Sequence, residues 1–119
     1  MKTLGLGGVF LRMQNVDKMI EWYREVLKIE FLDWNGAIFL PAQESCTIFS
    51  FFSEENDYFP LNQRVMLNFQ VDDMEEFLKH IQDLKIEIIK EPEKSEFGHF
   101  VWIKDPEGNL IEVWQREEL

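Results

Sequence analysis

Cysteine, basic residues and long apolar runs are all scarce in this sequence, and each scarcity excludes a class of protein. The chain of 119 residues has a single cysteine, Cys46, which has no partner for an internal disulfide. We therefore expect a reducing, cytoplasmic location. No apolar run approaches the roughly 20 residues that a membrane-spanning helix needs, so we expect no segment embedded in a membrane.

Acidic residues outnumber basic ones by 23 to 12, which gives a formal net charge of −11 at pH 7. Phosphate backbones and anionic lipid surfaces would be repelled by this charge, so neither nucleic acid nor a membrane is an expected partner. Two interpretations of the charge remain open: it attracts a cationic ligand, or it only keeps the protein in solution. The length and the 45% of hydrophobic residues predict a single globular domain spanning 1–119.

An internal repeat divides this domain into two halves, about 1–55 and 60–119. Segment 16–26 resembles segment 71–81, with Val, Asp, Met and Glu recurring at equivalent positions. Both segments have apolar residues at the spacing i, i+3, i+4 and i+7, which predicts two amphipathic helices. These residues are Met19, Trp22, Tyr23 and Val26 in the first segment and Met74, Phe77, Leu78 and Ile81 in the second. Asn15 or Asp17, and Asp72 or Asp73, are the candidate N-terminal caps.

Segments of half-buried strand character surround both predicted helices. They lie at 6–13, 29–34, 37–40 and 47–52 in the first half, and at 64–71, 86–90, 99–104 and 110–114 in the second. Asn35-Gly36 signals a hairpin, whereas the polar segment 53–60 and the charged segment 91–98 are predicted loops. The predicted fold class is α+β, with two βαβββ modules forming a curved mixed sheet that has its helices on the convex side.

One family combines this doubled βαβββ order with the sequence Asp105-Pro106-Glu107-Gly108-Asn109-Leu110-Ile111-Glu112 and a helix like Ile20-Glu21-Trp22-Tyr23-Arg24-Glu25-Val26-Leu27. The chain resembles the vicinal oxygen chelate superfamily, which includes glyoxalase I, the extradiol dioxygenases, and the fosfomycin and bleomycin resistance proteins. The resemblance covers nearly the whole chain. It implies a ligand site on the concave face of the sheet, where the metal enzymes of the family hold a divalent ion.

The resemblance also implies where the metal ligands of such an enzyme would lie. The four positions fall on Gly8, on Phe49 (or Ser50 if the register shifts by one), on Met66 and on Glu112. A catalytic metal generally needs three protein ligands, and one carboxylate with a thioether does not bind a hard divalent ion. We therefore expect no metal, no cofactor and no catalytic residue within this chain. His80 and His99 are interpreted as a surface and a strand histidine.

The predicted concave face is mostly aromatic and has few polar groups. Strand alternation places Glu112 there with Trp114, while Ile111 and Val113 pack under the helices. The candidate ligand-binding residues are Phe10, Arg12, Phe49, Phe51, Met66, Asn68, Phe100, Trp102, Glu112 and Trp114. Such a mixture is typical of a small-molecule pocket, although the rings would also serve as a filled core. Glu112 either pairs with Arg12, contacts a ligand or acts as a base.

Three functional hypotheses follow from the resemblance and this face. The leading one is a metal-free binding protein, similar to the bleomycin resistance proteins, that sequesters a partly aromatic or cationic compound in a concave aromatic pocket. The resemblance also implies a homodimer. The alternatives are a metal-dependent lyase, isomerase or dioxygenase whose ligands come from elsewhere, such as a second subunit, and a degenerate, non-catalytic interaction module.

Overall fold

The computed structural model describes residues 1–2, 4–42 and 45–117, and its regular elements form one α+β unit. In chain order they are α1 (Val16–Leu27), β1 (Leu67–Gln70), α2 (Met74–Asp83), β2 (Lys90–Ser95), β3 (Gly98–Lys104) and β4 (Leu110–Arg116). The strands form an open mixed sheet in the order β1-β4-β3-β2. The β1 and β4 strands are parallel, and the other two pairs are antiparallel. The predicted α+β class with a mixed sheet is confirmed.

Both helices form where the apolar spacing predicts them. Asn15 caps α1 by accepting a hydrogen bond from the backbone N–H of Lys18 at 3.1 Å, and Asp73 caps α2 through the N–H of Glu76, also at 3.1 Å. The first helix ends at Leu27 because Lys28 adopts the left-handed conformation, with φ of 56°. Neither of the described helices is long and apolar enough to cross a membrane.

The two helices pack against one face of the sheet and form the core with it. The buried residues of this core include Met19, Tyr23 and Val26 from α1, Met74, Phe77 and Ile81 from α2, and Val101, Ile103, Ile111 and Val113 from the strands. Because strand side chains alternate, Phe100, Trp102, Glu112 and Trp114 lie on the opposite face. The predicted division of the last two strands between a face packed under the helices and an opposite face is therefore correct.

The turn between β3 and β4 fastens α1 to the sheet. Asp105, only 4% exposed, accepts a hydrogen bond from the Tyr23 hydroxyl at 2.8 Å. Glu107 accepts hydrogen bonds from the backbone N–H groups of Gln14 and Asn15 at 2.8 and 2.9 Å, and these bonds lower its pKa. Burial, and then the bond to Asp105, raise the pKa of Tyr23 above its ordinary value. Two carboxylates of one turn thus anchor the start and the middle of α1.

The four strands predicted in the first half are wrong. Within residues 4–42 and 45–66, α1 is the one helix and no regular strand forms. A turn does form at the predicted hairpin, where Asn35 has φ of 66° and the N–H of Leu32 donates to the Gly36 carbonyl at 2.8 Å. Strand formation requires a hydrogen-bonding neighbour and a cover for the apolar face. No ladder of backbone hydrogen bonds forms among the described residues here, and side chains such as Phe10 are left exposed.

The second half follows the predicted βαβββ order with one strand displaced. The strand predicted at 86–90 gives way to β2, which begins at Lys90 and otherwise lies within the segment 91–98 that was predicted as a loop. Charged residues and Pro92 make this segment resemble a loop in sequence. An edge strand tolerates both, because one side of its backbone faces solvent, and β2 is an edge strand whose register is irregular between Lys90 and Glu93.

Candidate ligand-binding face

The strand register places candidate side chains in two rows across the sheet face that is opposite the helices. The first row is Asn68, Glu112, Trp102 and Lys90, from β1, β4, β3 and β2 respectively. The second row is Gln70, Trp114, Phe100 and Glu93. Directly paired residues share a face, so the side chains of each row are neighbours. We call this face, which bears Phe100, Trp102, Glu112 and Trp114, the aromatic face.

Glu112 is a buried carboxylate held by neutral donors. Its side chain is 6% exposed and accepts hydrogen bonds from the Tyr58 hydroxyl at 2.5 Å, the Asn68 amide at 2.6 Å and the Trp102 indole N–H at 2.9 Å. Both oxygens therefore have partners, as a buried charge requires. The predicted pairing with Arg12 is not formed: Arg12 is exposed and makes no ion pair with any residue that the structure describes.

Tyr58 is a site residue that the sequence analysis missed. It comes from the polar loop 53–60, where its N–H donates to the Asn56 side chain at 2.8 Å and its ring stacks on Phe52 with centroids 5.6 Å apart. Burial, and then the hydrogen bond and the charge of Glu112, raise the pKa of Tyr58, with Glu93 adding to the shift. The signal in the sequence was a pair of aromatic residues, Tyr58 and Phe59, in a largely polar loop.

Three parallel rings form the hydrophobic part of the aromatic face. Phe100 lies between Trp102 and Trp114, with centroid distances of 6.2 and 6.0 Å and interplanar angles of 14° and 9°. The Trp114 indole N–H donates to the Phe97 carbonyl at 2.8 Å, which fixes the orientation of that ring. Trp102 is fully buried, whereas Phe100 and Trp114 are half-buried. A molecule in solvent can therefore reach Phe100 and Trp114 directly.

Lys90 and Tyr58 cover the Trp102 end of the face. The Lys90 ammonium nitrogen lies 4.0 Å from the centroid of the Trp102 ring and 5.0 Å from that of Tyr58. Both distances are within the range at which a ring face attracts a cation. The side chains of Tyr58 and Trp102 also donate hydrogen bonds to Glu112. They thus contact a carboxylate with their polar groups and an ammonium with their ring faces.

The candidates from the first half lie apart from this arrangement. Phe49 and Phe51 pack against each other edge to face at 5.2 Å but stay 74% and 86% exposed. Phe10 is 93% exposed, and its ring lies against Gly8. Met66 precedes β1 and is half-buried. Of the ten candidates, the structure brings together Asn68, Phe100, Trp102, Glu112 and Trp114.

The donor set around Glu112 does not fit a divalent metal ion. In the ranges that the structure describes, no three His, Cys, Asp or Glu residues come together. The hydrogen bonds to both Glu112 oxygens come from groups that do not ligate such an ion well. A ring nitrogen of His80 lies 2.8 Å from the Glu25 carbonyl oxygen, joining the two helices. His99 shares the helix-facing side of β3 with Val101.

Comparison with known protein families finds a family model that covers most of the chain. The model of the "Glyoxalase/Bleomycin resistance protein/Dioxygenase superfamily" matches residues 5–113, a range that contains both helices and Glu112. No functionally curated protein matches the sequence.

Three solved structures illustrate the similarity. A glyoxylase/bleomycin resistance protein/dioxygenase domain from Frankia sp. EAN1pec is 17% identical over 98% of this chain and 95% of that chain, with a TM-score of 0.61. TnmS3, an antibiotic binding protein from Streptomyces sp. CB03234, is 17% identical over 87% and 88% of the two chains, with a TM-score of 0.56. Lactoylglutathione lyase from Agrobacterium tumefaciens is 20% identical over 92% and 94%, with a TM-score of 0.55. At these identities the similarity concerns the fold alone.

Proposed function

Because this chain belongs to the glyoxalase/bleomycin resistance protein/dioxygenase superfamily, we propose that it is a binding protein of that family, which holds a small, partly aromatic compound on its aromatic face without chemical reaction. The observation that carries the proposal is the environment of Glu112. Its two oxygens are occupied by the hydroxyl of Tyr58, the amide of Asn68 and the indole of Trp102. Three hydrogen bonds use most of the roughly four lone-pair sites of a carboxylate, so Glu112 serves chiefly to orient the groups around it.

The aromatic rings supply the binding surface in this proposal. Phe100 and Trp114 are parallel, partly accessible and held in place, so a flat ligand stacks on them without reorganising the sheet. Broad apolar walls with a few fixed polar groups are the usual composition of a small-molecule site. The fold is compatible with this role, since one structural neighbour is named an antibiotic binding protein, and equally with chemistry, since another is named a lyase. The residues around Glu112 favour binding.

We expect acridine, a flat aromatic probe, to bind this face at a pH where the probe is uncharged. The indole N–H resonances of Trp102 and Trp114 should shift on titration in ¹H–¹⁵N spectra, because the ring current of a stacked ligand acts only on near neighbours. Trp22 and Trp34 lie off the face and serve as internal controls.

Substitution separates this binding from general hydrophobic adsorption. Trp114→Ala is expected to weaken acridine binding about tenfold, the loss of one stacked ring pair with its buried area. Trp34→Ala removes an exposed indole elsewhere and should leave the affinity unchanged. Equal effects of the two substitutions, or shifts confined to Trp22 and Trp34, would contradict the proposed site.

We also propose that the protein acts as a cytoplasmic homodimer. A free, exposed cysteine suits a reducing compartment, and Cys46 is exposed. Many large apolar side chains of the first half are exposed, Phe10, Phe49 and Phe51 among them, and exposed apolar area of this extent favours an interface between proteins. A second copy covering this surface would also bring those three candidates into a buried environment.

The dimer has a direct test. Sedimentation equilibrium should give twice the monomer mass of 14.3 kDa. Phe51→Asp should shift the mass towards the monomer, because a carboxylate is costly to bury without a partner. Phe97→Asp replaces a ring that is 66% exposed at the β2–β3 turn and should have no effect. A wild-type protein that sediments as a monomer refutes the dimer but not the ligand site.

A further inference from the structure

The aromatic face already contains a cation, and that cation belongs to the chain itself. Lys90 opens β2 directly beside Trp102, since the two residues are register partners and the N–H of Ile89 donates to the Trp102 carbonyl at 2.9 Å. This pairing sends the Lys90 side chain over the indole. Its ammonium lies against both Trp102 and Tyr58, at 4.0 and 5.0 Å from their centroids.

The surroundings of the ammonium favour positive charge. Glu112 accepts hydrogen bonds from the polar groups of the same two rings. The positive edges of the rings therefore point at the carboxylate, and their negative faces are available to a cation. Glu93 acts electrostatically on Tyr58 from the neighbouring row. The whole chain, with its net charge of −11, adds to the attraction.

Lys90 is nevertheless easy to displace. The residue is exposed as a whole, so its flexible stem can turn into solvent without any movement of the backbone. Its departure uncovers the ring face of Trp102, which no solvent reaches while the lysine is in place. The uncovered ring extends the surface that Phe100 and Trp114 already present.

We propose that the Tyr58–Trp102 ring pair is a binding site for organic cations and that Lys90 is its intramolecular occupant, which competes with the ligand and limits its affinity. This inference rests on the proposed function and deepens it by naming the ligand class: a flat aromatic compound bearing an ammonium or iminium charge. The aromatic part stacks on Phe100 and Trp114, and the charge replaces that of Lys90. Lys90 is then the residue that determines specificity for charge.

A matched pair of probes and three variants test the competition. The probes are acridine, uncharged at the chosen pH, and N-methylacridinium, which has nearly the same shape and a permanent charge. Lys90→Met keeps the apolar stem and removes the ammonium, whereas Lys90→Arg keeps a cation. Lys94→Met is the control, because it lies on the same strand and changes the net charge equally, but its side chain makes no contact with Tyr58 or Trp102 in the described structure.

Calorimetric titration should show Lys90→Met binding N-methylacridinium about tenfold more tightly than the wild type, a gain typical of one partly desolvated cation–π contact. Acridine affinity should stay within twofold, and neither Lys90→Arg nor Lys94→Met should reproduce the gain. An equal gain for both probes would mean that Lys90 acts by bulk, and an equal gain in Lys94→Met would mean that net charge is responsible; either result overturns the competition.

The outcomes also separate this inference from the proposed function. Binding of acridine with no gain for the cation in Lys90→Met retains the aromatic site and refutes the cation site alone. If neither probe binds the wild type or any variant, the proposed function fails and the cation site fails with it.

Discussion

Replacing Glu112 with leucine is expected to lower the free energy of unfolding by about 3 kcal/mol, because it leaves buried donors without an acceptor. The Trp102 indole N–H bears most of the loss, since its side chain has no exposed surface and it donates a hydrogen bond to Glu112 at 2.9 Å. Asn68 is exposed and can turn to water. Tyr58 would lose the bond that holds its loop on the sheet.

The conservative substitution should behave very differently. In Glu112→Gln the carbonyl oxygen can still accept from Tyr58 and Trp102, and the Asn68 amide can rotate to accept from the new NH₂ group. We expect a loss of about 1 kcal/mol, reflecting weaker, uncharged hydrogen bonds. Urea denaturation measures both values, with Glu91→Leu on the exposed edge strand as control. A leucine variant as stable as the glutamine variant would show that the network is not a stabilising one.

Substitution of Asp105 by alanine is the second change with a large expected effect, about 3 to 4 kcal/mol. The Asp105 side chain accepts these hydrogen bonds: from the Tyr23 hydroxyl and the Asn109 amide at 2.8 Å, and from the backbone N–H groups of Glu107 and Asn109 at 3.0 Å. The substitution therefore removes the side-chain hydrogen bonds within the β3–β4 turn and one anchor of α1 together.

A double-mutant cycle separates these two roles. Tyr23→Phe removes one hydrogen bond and leaves the turn intact, so it should cost about 1 to 2 kcal/mol. The coupling free energy between Asp105→Ala and Tyr23→Phe then measures the interaction of the β3–β4 turn with α1. Asp72→Ala, at an exposed position before α2, is the control and should have little effect. Strict additivity of the two substitutions would contradict a direct interaction between Tyr23 and Asp105.

The helices and the second half were predictable because their signals are local. The spacing of Met19, Tyr23 and Val26 selects one helix face, and Asn15 caps a backbone donor three residues away. Alternation in β3 and β4 also placed Trp102 and Glu112 correctly on one face. Each of these inferences involves residues within a few positions of each other, where the chain geometry leaves few alternatives.

The first half was not predictable in the same way. Segments such as 6–13 and 47–52 have strand-like composition, but a strand exists only when another backbone pairs with it. Composition contains no information about whether that partner lies in the same chain. The edge strand β2 illustrates the converse, because its charges and Pro92 resemble a loop and only its pairing with β3 makes it a strand.

By itself, the sequence determined that the protein is an α+β member of a recognisable superfamily and that Glu112 shares a sheet face with aromatic rings. Only the tertiary structure decided what meets Glu112. Tyr58 is 54 positions away and Asn68 is 44 positions away, and the turn that identifies the fold reaches across 82 positions to Tyr23. Such contacts depend on which distant segments the fold brings together, and local sequence patterns do not specify that. A hydroxyl or an amide in a polar segment can donate its hydrogen bond either to water or to a buried carboxylate, so the sequence alone does not indicate its partner.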